Sequence, residues 1–293
     1  MKDIEIIVLS GPTASGKTRR AVEICKKING EIISCDSRQV YKYLDIGTNK
    51  CGTLIGSGVR EIDGVKQYLT DIVDLDRNYN AAEFAEAADL KISEIKKHGK
   101  VPVLVGGTGL YIKALLYGLG NVPAADKSLR GKLKCKSNEE LYSILLALDP
   151  SAAEKNKNNP HRLIRALEIN MLSGRTVSEF IKPKIPRYKF KHYSILVENN
   201  ILYSRINSRC ALMIENGMIE ETCKVLNMGY DRNCPALNAI GYKYVMQYLD
   251  NAVSKKELIT EFAKDTRHYA KRQKTWFKAQ PEVEFIPGFE YEA

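Results

Sequence analysis

The sequence has few of the residues that build metal centres and disulfide frameworks. Its 293 residues include four histidines and seven cysteines, and no two cysteines form a CxxC pair. An odd number of scattered cysteines argues against a disulfide scaffold and against a zinc ribbon. The histidines show no spacing typical of metal ligands either. We therefore expect reduced thiols and a fold that does not depend on disulfides or zinc.

Long hydrophobic runs are missing as well. No apolar stretch approaches the roughly 20 residues that a helix needs to cross a bilayer. The first ten residues, MKDIEIIVLS, place acidic residues between apolar ones and lead into a strand pattern, which is not the pattern of a signal peptide. No internal repeat stands out. We expect a cytoplasmic protein that has no membrane partner and no obligate protein partner, and we assume a monomer.

Basic residues outnumber acidic ones, and they do so unevenly. The 45 lysines and arginines against 35 aspartates and glutamates give a net charge of +10. Residues 1–125 carry 17 basic and 15 acidic residues, a net charge of +2, whereas residues 126–293 carry 28 and 20, a net charge of +8. Positive charge concentrated in one part of a chain favours a large polyanion such as nucleic acid as a partner.

The first part of the chain alternates between strand and helix patterns. Short apolar runs at 4–10, 31–35, 67–73 and 101–107 predict buried strands. Helical spacing of apolar residues predicts helices that include 17–29 and 81–98. This alternation predicts an α/β fold with a parallel sheet covered by helices on both faces.

The alternation stops near Gly118. Residues from 124 to about 180 show helix patterns only, beginning with a capping box at Ser137. The proline-containing and basic segment 182–190 looks like a connector, after which 192–198 predicts a strand, followed by helices to about 278 and a last strand at 282–287. We therefore predict a catalytic core of residues 1–120 and 188–293, with basic C-terminal helices, and an all-helical insertion of residues 121–187.

A phosphate-binding loop lies between the first predicted strand and helix. Residues 11–18, GPTASGKT, fit the pattern GxxxxGK[ST] in the required context. Glycines let backbone N–H groups turn towards an anion, and the helix N-terminus adds partial positive charge. Thr18 can place its hydroxyl on Mg²⁺. The predicted diphosphate-binding residues are Gly11, Pro12, Thr13, Ala14, Ser15, Gly16, Lys17 and Thr18.

The loop alone leaves the reaction open. A nucleotide-binding kinase or ATPase is its default interpretation, with Asp36, after the second strand, as a candidate carboxylate. However, no apolar strand ends in an aspartate at the usual metal-binding place. The fourth strand leads instead into Gly106-Gly107-Thr108-Gly109, where glycines permit close approach of a ligand and Thr108 offers a hydroxyl.

Seven segments, in the correct order over nearly the whole chain, resemble the tRNA dimethylallyltransferases. They are GPTASGKT (11–18), ISCDSRQVYKYLDIGTNK (33–50), VGGTGLYIKALL (105–116), NNPHRLIRALEI (158–169), RINSRCALMIENG (205–217), NAIGYK (238–243) and KRQKTWFK (271–278). The resemblance implies that the loop and Mg²⁺ hold the diphosphate of dimethylallyl diphosphate. The five-carbon group then moves to the exocyclic N6 of the adenosine next to the anticodon, and diphosphate leaves.

The same resemblance assigns roles to individual residues. Asp36 becomes the general base that takes a proton from N6, although alone it would be interpreted as a helix N-cap. Thr108 contacts the nucleotide or the diphosphate, and Arg209 supplies a guanidinium to the diphosphate. Contacts to the anticodon stem-loop of tRNA are implied for four segments, for Thr108 and for Arg130. The segments are Asp36, Ser37, Arg38 and Gln39; Asn158, Asn159, Pro160, His161 and Arg162; Asn238, Ala239, Ile240, Gly241, Tyr242 and Lys243; and Lys271, Arg272, Gln273, Lys274, Thr275, Trp276, Phe277 and Lys278.

The last of these segments also makes sense without the resemblance. Four cations flank Trp276 and Phe277, and nucleic acids are bound by cations on phosphates and by aromatic rings on bases. An amphipathic helix with its aromatics in the core is the competing interpretation. Two features depart from the family: Lys243-Tyr244 replaces a common Lys-Glu pair, and the glycine-rich stretch 52–65 resembles no family segment and is expected to form a loop.

Three alternative functions remain from the sequence. An adenylate isopentenyltransferase, which acts on free AMP, ADP or ATP, would share the first three segments but would not need the helical insertion or the basic C-terminal segment. A small-molecule or nucleoside kinase would use the same phosphate loop. A non-catalytic RNA-binding protein is disfavoured because Lys17, Thr18 and Asp36 are intact.

Overall fold

The structure, a computed structural model, describes residues 5–120, 122–180 and 185–288. The chain divides into two compact units. One consists of residues 1–116 and 187–293, and the other of residues 117–186. Across the described residues, no helix is both long enough and apolar enough to span a membrane.

The larger unit is built on a single sheet, which has eight strands in the part of the chain that the structure describes. The strands are β1 (Ile6–Ser10), β2 (Gly30–Ser34), β3 (Thr53–Gly56), β4 (Val59–Ile62), β5 (Val65–Tyr68), β6 (Val101–Gly106), β7 (Phe190–Leu196) and β8 (Val283–Pro287). Their order across the sheet is β3-β4-β5-β2-β6-β1-β7-β8. The six strands from β5 to β8 in this order run parallel, and β3 and β4 extend the sheet as antiparallel neighbours.

The predicted P-loop-type α/β fold is confirmed. Strand β1 lies between β6 and β7, with Ile7 opposite Val103 on one side and Lys191 on the other. Residues of β2 and β6 are almost entirely buried, as expected for central strands of a parallel sheet. Because β1, β2 and β6 are parallel, their carboxyl ends meet at one edge. The phosphate loop, Asp36 and the glycine loop 106–109 follow these ends directly.

Helices connect and cover these strands. In the larger unit they are α1 (Lys17–Ile28), α2 (Ala81–Lys97), α3 (Gly109–Tyr117), α9 (Asn199–Glu215), α10 (Met218–Asn227), α11 (Tyr242–Leu249) and α12 (Lys255–Lys278). Helices α2 and α12 begin with capping boxes on Asn80 and Ser254. The predicted helices at 17–29 and 81–98 and the predicted strand at 282–287 are therefore found within about one residue of their predicted bounds.

The smaller unit is all-helical over its described residues and has its own core. It contains α4 (Lys127–Lys134), α5 (Asn138–Leu148), α6 (Pro150–Asn156), α7 (Pro160–Ser173) and α8 (Val177–Phe180). Leu133, Leu141, Leu145, Leu163 and Leu167 are buried together. The capping box predicted at Ser137 is present. Of the predicted connector 182–190, residues 182–184 lie outside the described residues, 185–189 form neither helix nor strand, and Phe190 begins β7.

Two local predictions are wrong. The stretch 52–65 is not a simple loop, because it contains β3, β4 and the first residue of β5, with turns at Gly58 (φ +73°) and Gly64 (φ +80°). The strand predicted at 67–73 ends at Tyr68 in β5. Leu69 (φ 63°) and Asp71 (φ 55°) adopt left-handed backbone conformations, which end an extended strand.

Candidate active site

The phosphate loop connects β1 to α1 with its backbone turned inward. Gly11 has φ +147°, and a Cβ there would lie 3.3 Å from the backbone N and O of Ile195. Only glycine fits such a close approach. The Ser15 side chain is fully buried, and its hydroxyl has no hydrogen-bond partner within the described part of the chain. A buried hydroxyl of this kind is available to an oxygen atom of a bound anion.

Positive potential is concentrated at the end of this loop. Gly16 precedes α1 and provides no side-chain cap, so the first N–H groups of the helix remain available to an anion. Lys17 donates from Nζ to the carbonyl oxygen of Pro12 at 2.6 Å. Removal of water around the ammonium group lowers the pKa of Lys17 to about 8, against the opposing influence of Asp36 and with a further contribution from Arg209. A bound anion would restore the charged form.

These groups line a cavity of about 250 Å³. Residues 13–19 form one wall, and Asp36, Thr48, Asn49 and Arg209 contribute to the others. Lys17 and Arg209, on α1 and α9, thus face the same small space. We call it the phosphate cavity, because its charge and its backbone donors suit a diphosphate.

Asp36 occupies the turn after β2. Its Oδ1 accepts hydrogen bonds from the backbone N–H groups of Arg38 at 2.8 Å and Gln39 at 3.4 Å. The other carboxylate oxygen forms no hydrogen bond within the described residues. These hydrogen bonds therefore fix the side chain and leave one oxygen for a ligand. Residues 37–43 form turns and no helix, so Asp36 is not a helix N-cap, and its catalytic role stays a prediction.

A second cavity, of about 320 Å³, adjoins the first. Thr13, Asp36, Thr48, Asn49 and Arg209 line both. The remaining wall of the second cavity combines apolar side chains of α9 and α12 with Ser37, Arg38, Tyr269 and Arg272. Burial raises the pKa of Tyr269 to about 12, so its phenol stays neutral and can donate a hydrogen bond. We call this space the acceptor cavity.

Thr108 makes contacts within the protein, and the expected contact of Thr108 with a ligand stays a prediction. Its Oγ1 accepts a hydrogen bond from the backbone N–H of Ser37 at 3.1 Å, and its own N–H donates to the carbonyl oxygen of Cys35 at 3.2 Å. Thr108 therefore ties the glycine loop to the turn that carries Asp36. Neither cavity includes Thr108 in its wall.

The implied RNA-binding segment 238–243 is only partly at the surface. Asn238 and Lys243 are exposed, and Ile240 lines the acceptor cavity. Ala239 and Tyr242 are buried, and the Tyr242 hydroxyl donates to Glu221 at 2.7 Å. Tyr242 therefore packs in the core and is not exposed to RNA, whereas Ala239 lines the acceptor cavity together with Ile240.

The C-terminal segment 271–278 is divided between two faces of α12. Lys271, Arg272 and Lys278 are exposed, as expected for contacts to phosphate. Phe277, at 1% exposure, packs against His192 in the core, so its predicted stacking on a base does not fit the structure. Trp276 is half-buried against Gly109.

Gln273 also belongs to the buried face of α12, with 6% exposure. Its Oε1 accepts from the backbone N–H of Thr13 at 2.8 Å, and its Nε2 donates to the carbonyl oxygen of Gly107 at 3.0 Å. A Cβ at Gly107 would lie 2.0 Å from Nε2. Gln273 thus joins α12 to the phosphate loop and does not face RNA.

In the helical unit, two of the implied RNA contacts have structural roles. Arg130 makes a forked ion pair with the fully buried Glu168, with two bonds of 2.9 Å. Asn159 caps α7 by accepting from the N–H of Arg162 at 3.1 Å. Asn158, Pro160, His161 and Arg162 are exposed at the start of α7.

The sequence reasoning missed the residues that hold the site together. Glu221 accepts four hydrogen bonds, three of them from backbone N–H groups of residues 45–47. Lys50, whose side chain is 0% exposed, pairs with Asp45 and Asp71. Asp45 and Lys50 lie inside the second quoted segment, but spacing along the chain gives no sign of Glu221 as their neighbour.

A magnesium ion would fit this site with phosphate oxygens of the substrate among its ligands. No group of three or more His, Cys, Asp or Glu side chains capable of holding a metal is present within the described residues. Mg²⁺ is commonly held by one or two protein ligands together with phosphate oxygens of the substrate. Thr18, in the wall of the phosphate cavity, supplies a hydroxyl for that arrangement.

Comparison with known proteins agrees with this geometry. A family model described as IPP transferase matches residues 39–280. A tRNA dimethylallyltransferase from Endomicrobium trichonymphae is 67% identical over 285 residues, covering 97% of this chain and 95% of the relative. One from Acetivibrio thermocellus is 42% identical, covering 98% and 93%.

Solved structures show the same likeness. The tRNA isopentenylpyrophosphate transferase from Bacillus halodurans is 38% identical and superposes with a TM-score of 0.70, covering 96% of this chain and 89% of that chain. A eukaryotic dimethylallyltransferase acting on tRNA is 24% identical, with a TM-score of 0.80 and coverage of 96% and 73%. At that identity the comparison concerns the fold alone.

Proposed function

This chain belongs to the IPP transferase family, and from that premise we propose that it transfers the dimethylallyl group of dimethylallyl diphosphate to N6 of a tRNA adenosine. The adenosine is the one on the 3′ side of the anticodon, and diphosphate is released. One observation carries this proposal: the phosphate cavity and the acceptor cavity share Asp36 and Arg209 in their walls. A group leaving diphosphate in one cavity can therefore reach a base in the other.

The phosphate cavity suits the donor. Backbone N–H groups at the start of α1, the Ser15 hydroxyl, Lys17 and Arg209 converge on the position of the diphosphate. These groups stabilise the negative charge that develops as the carbon–oxygen bond breaks. The same neutralisation serves phosphoryl transfer, but here the bond that breaks joins oxygen to an allylic carbon, which can carry developing positive charge.

Magnesium completes this proposal. With the Thr18 hydroxyl and diphosphate oxygens as ligands, Mg²⁺ would neutralise part of the charge on the leaving diphosphate. Thr18 opens α1 next to Lys17, so the hydroxyl and the ammonium group approach the same diphosphate.

Asp36 serves the acceptor side of the reaction. The N6 amine of adenine is a poor nucleophile because its lone pair is conjugated with the ring. As N6 bonds to the allylic carbon, it loses one proton, and the free oxygen of Asp36 accepts that proton. The hydrogen bonds from Arg38 and Gln39 hold the carboxylate in place, and Thr108 holds the adjoining Ser37.

RNA binding is the remaining part of the proposal. A stacked base cannot reach the acceptor cavity, so the target adenosine leaves its stack to react. Arg272 lines that cavity and is exposed, with Lys271 and Lys278 on the same helix. Cations here can bind the phosphates that flank the extruded nucleotide.

A labelling experiment tests the proposal. The protein is incubated with Mg²⁺, dimethylallyl diphosphate labelled in the prenyl group, and either tRNA or AMP. We expect the label in tRNA and one diphosphate released for each group transferred. Label in AMP alone would point to an adenylate isopentenyltransferase. Phosphoryl transfer from ATP without prenyl transfer would point to a kinase.

A further inference from the structure

One short loop contributes to the walls of four cavities of the catalytic unit. We call residues 45–50 the partition loop. Thr48 and Asn49 line both the phosphate cavity and the acceptor cavity. Asp45 and Ile46, at the start of the loop, line two outer cavities of about 910 Å³ and 560 Å³. The loop is therefore a shared wall between the small reaction cavities and larger, more open spaces, and the 560 Å³ outer cavity also shares Ala14, Gly16 and Arg209 with the phosphate cavity.

Glu221, on α10, holds the loop from one side. Its Oε2 accepts from the backbone N–H groups of Asp45 at 2.6 Å and Ile46 at 2.7 Å. Its Oε1 accepts from the N–H of Gly47 at 3.0 Å and from the Tyr242 hydroxyl at 2.7 Å. Each oxygen thus faces two donors. A carboxylate satisfies this arrangement, and an amide cannot, because its NH₂ group would face at least one backbone N–H donor in either orientation.

Other contacts leave the loop little freedom. A Cβ at Gly47 would lie 2.3 Å from the Tyr242 hydroxyl, so the backbone is packed directly on that ring. Gln39 donates from Nε2 to the carbonyl oxygens of Thr48 and Asn49 at 3.2 and 3.1 Å. Lys50 is buried between Asp45 and Asp71. Of these contacts, the Glu221 carboxylate is the one that accepts hydrogen bonds from the backbone N–H groups of three consecutive residues.

We propose that Glu221 is a positioning residue that limits the access of water to the reaction cavities by fixing the partition loop. This inference rests on the proposed function. An allylic diphosphate that ionises next to open solvent is captured by water instead of by N6. The water oxygen bonds to the allylic carbon, the carbon–oxygen bond to diphosphate breaks, and dimethylallyl alcohol forms as the water proton passes to solvent. Exclusion of water suppresses this loss.

The experiment measures how many diphosphates are released for each prenyl group attached to tRNA. Glu221→Gln breaks the anchor while keeping the side-chain volume, and we expect the ratio to rise from one to about two or more. Glu220→Gln is the matched control. It makes the same change of charge on the neighbouring residue, which is exposed and lines an outer cavity, and the ratio should stay at one.

Tyr242→Phe provides a second variant in case Glu221→Gln does not fold. It removes one of the four hydrogen bonds and leaves the ring in place, so we expect a smaller rise in the ratio. A merely structural role of Glu221 would lower transfer and diphosphate release together, leaving the ratio at one.

Each outcome decides the matter. A ratio of one in every folded variant, including Tyr242→Phe, overturns the inference while leaving the proposed function intact. A wild-type protein that transfers no label to tRNA refutes the proposed function instead. A raised ratio in Glu221→Gln and Tyr242→Phe, but not in Glu220→Gln, supports the inference.

Discussion

Binding of a diphosphate should weaken as the pH rises through 8, because the free protein then loses the proton of Lys17. Its pKa is lowered to about 8 mainly by loss of water around the ammonium group. If only the charged lysine neutralises the ligand, about nine-tenths of the protein is competent at pH 7 and about one-tenth at pH 9. The affinity should therefore fall by about ten-fold over this range, or ~1.4 kcal/mol.

Isothermal titration calorimetry with Mg²⁺ and pyrophosphate measures this effect. The ligand also ionises in this range, so Lys17→Met, which keeps a side chain of similar length without the charge, is titrated in parallel. The ratio of the two affinities isolates the contribution of Lys17 and should fall between pH 7 and 9. Because the bound anion raises the lysine pKa again, binding at pH 8 should take up about half a proton, seen by comparing buffers with different ionisation enthalpies.

A ratio that stays constant between pH 7 and 9 would refute this reasoning. So would a proton uptake on binding that is no larger than that of Lys17→Met. In either case the charge of Lys17 would not change when the ligand binds.

Three further predictions concern side chains on either side of the site. Asp36→Asn keeps an oxygen for the turn but cannot take a proton, so kcat should drop by about 10²–10⁴-fold, while tRNA affinity in a filter-binding assay stays nearly unchanged. Gln273→Met should lower the free energy of unfolding, measured in urea, by about 2–4 kcal/mol, because two buried hydrogen bonds to Thr13 and Gly107 are lost. A large loss of tRNA affinity with unchanged stability would instead indicate that Gln273 contacts RNA. Changing Lys271 and Arg272 to Ala should reduce the magnitude of the slope of the logarithm of the tRNA binding constant against the logarithm of salt concentration by about one to two. An unchanged slope would show that these two side chains of α12 do not contact tRNA phosphates.

The part of the site that follows parallel strands could be predicted from the sequence. The phosphate loop, Asp36 and the loop around Thr108 each follow an apolar run. Parallel pairing of β1, β2 and β6 brings their carboxyl ends to one edge. Local patterns therefore predict that these three loops meet, since loops that follow neighbouring parallel strands lie together at the carboxyl ends of those strands.

Other parts could not be predicted because they depend on distant contacts. Glu221 lies 174–176 residues from the backbone groups that it binds, and no spacing rule connects them. The buried positions of Gln273 and Phe277 follow from which face of α12 contacts the phosphate loop, the loop at Gly107 and β7. Composition alone, with four cations beside two aromatic residues, favoured RNA for the whole segment and could not divide it between two faces.

The place of β1 in the sheet has a consequence for synthesis of the chain. Strand β1 pairs with β6 on one side and with β7 on the other, yet β7 begins at Phe190, after the entire helical unit. A nascent or truncated chain that stops within that unit leaves the hydrogen-bonding edge of β1 exposed, and an exposed apolar edge readily pairs with other chains. Ribosomal pausing or proteolysis between residues 117 and 186 should therefore produce aggregates. Such a fragment contains the phosphate loop but lacks Arg209, which completes the phosphate cavity.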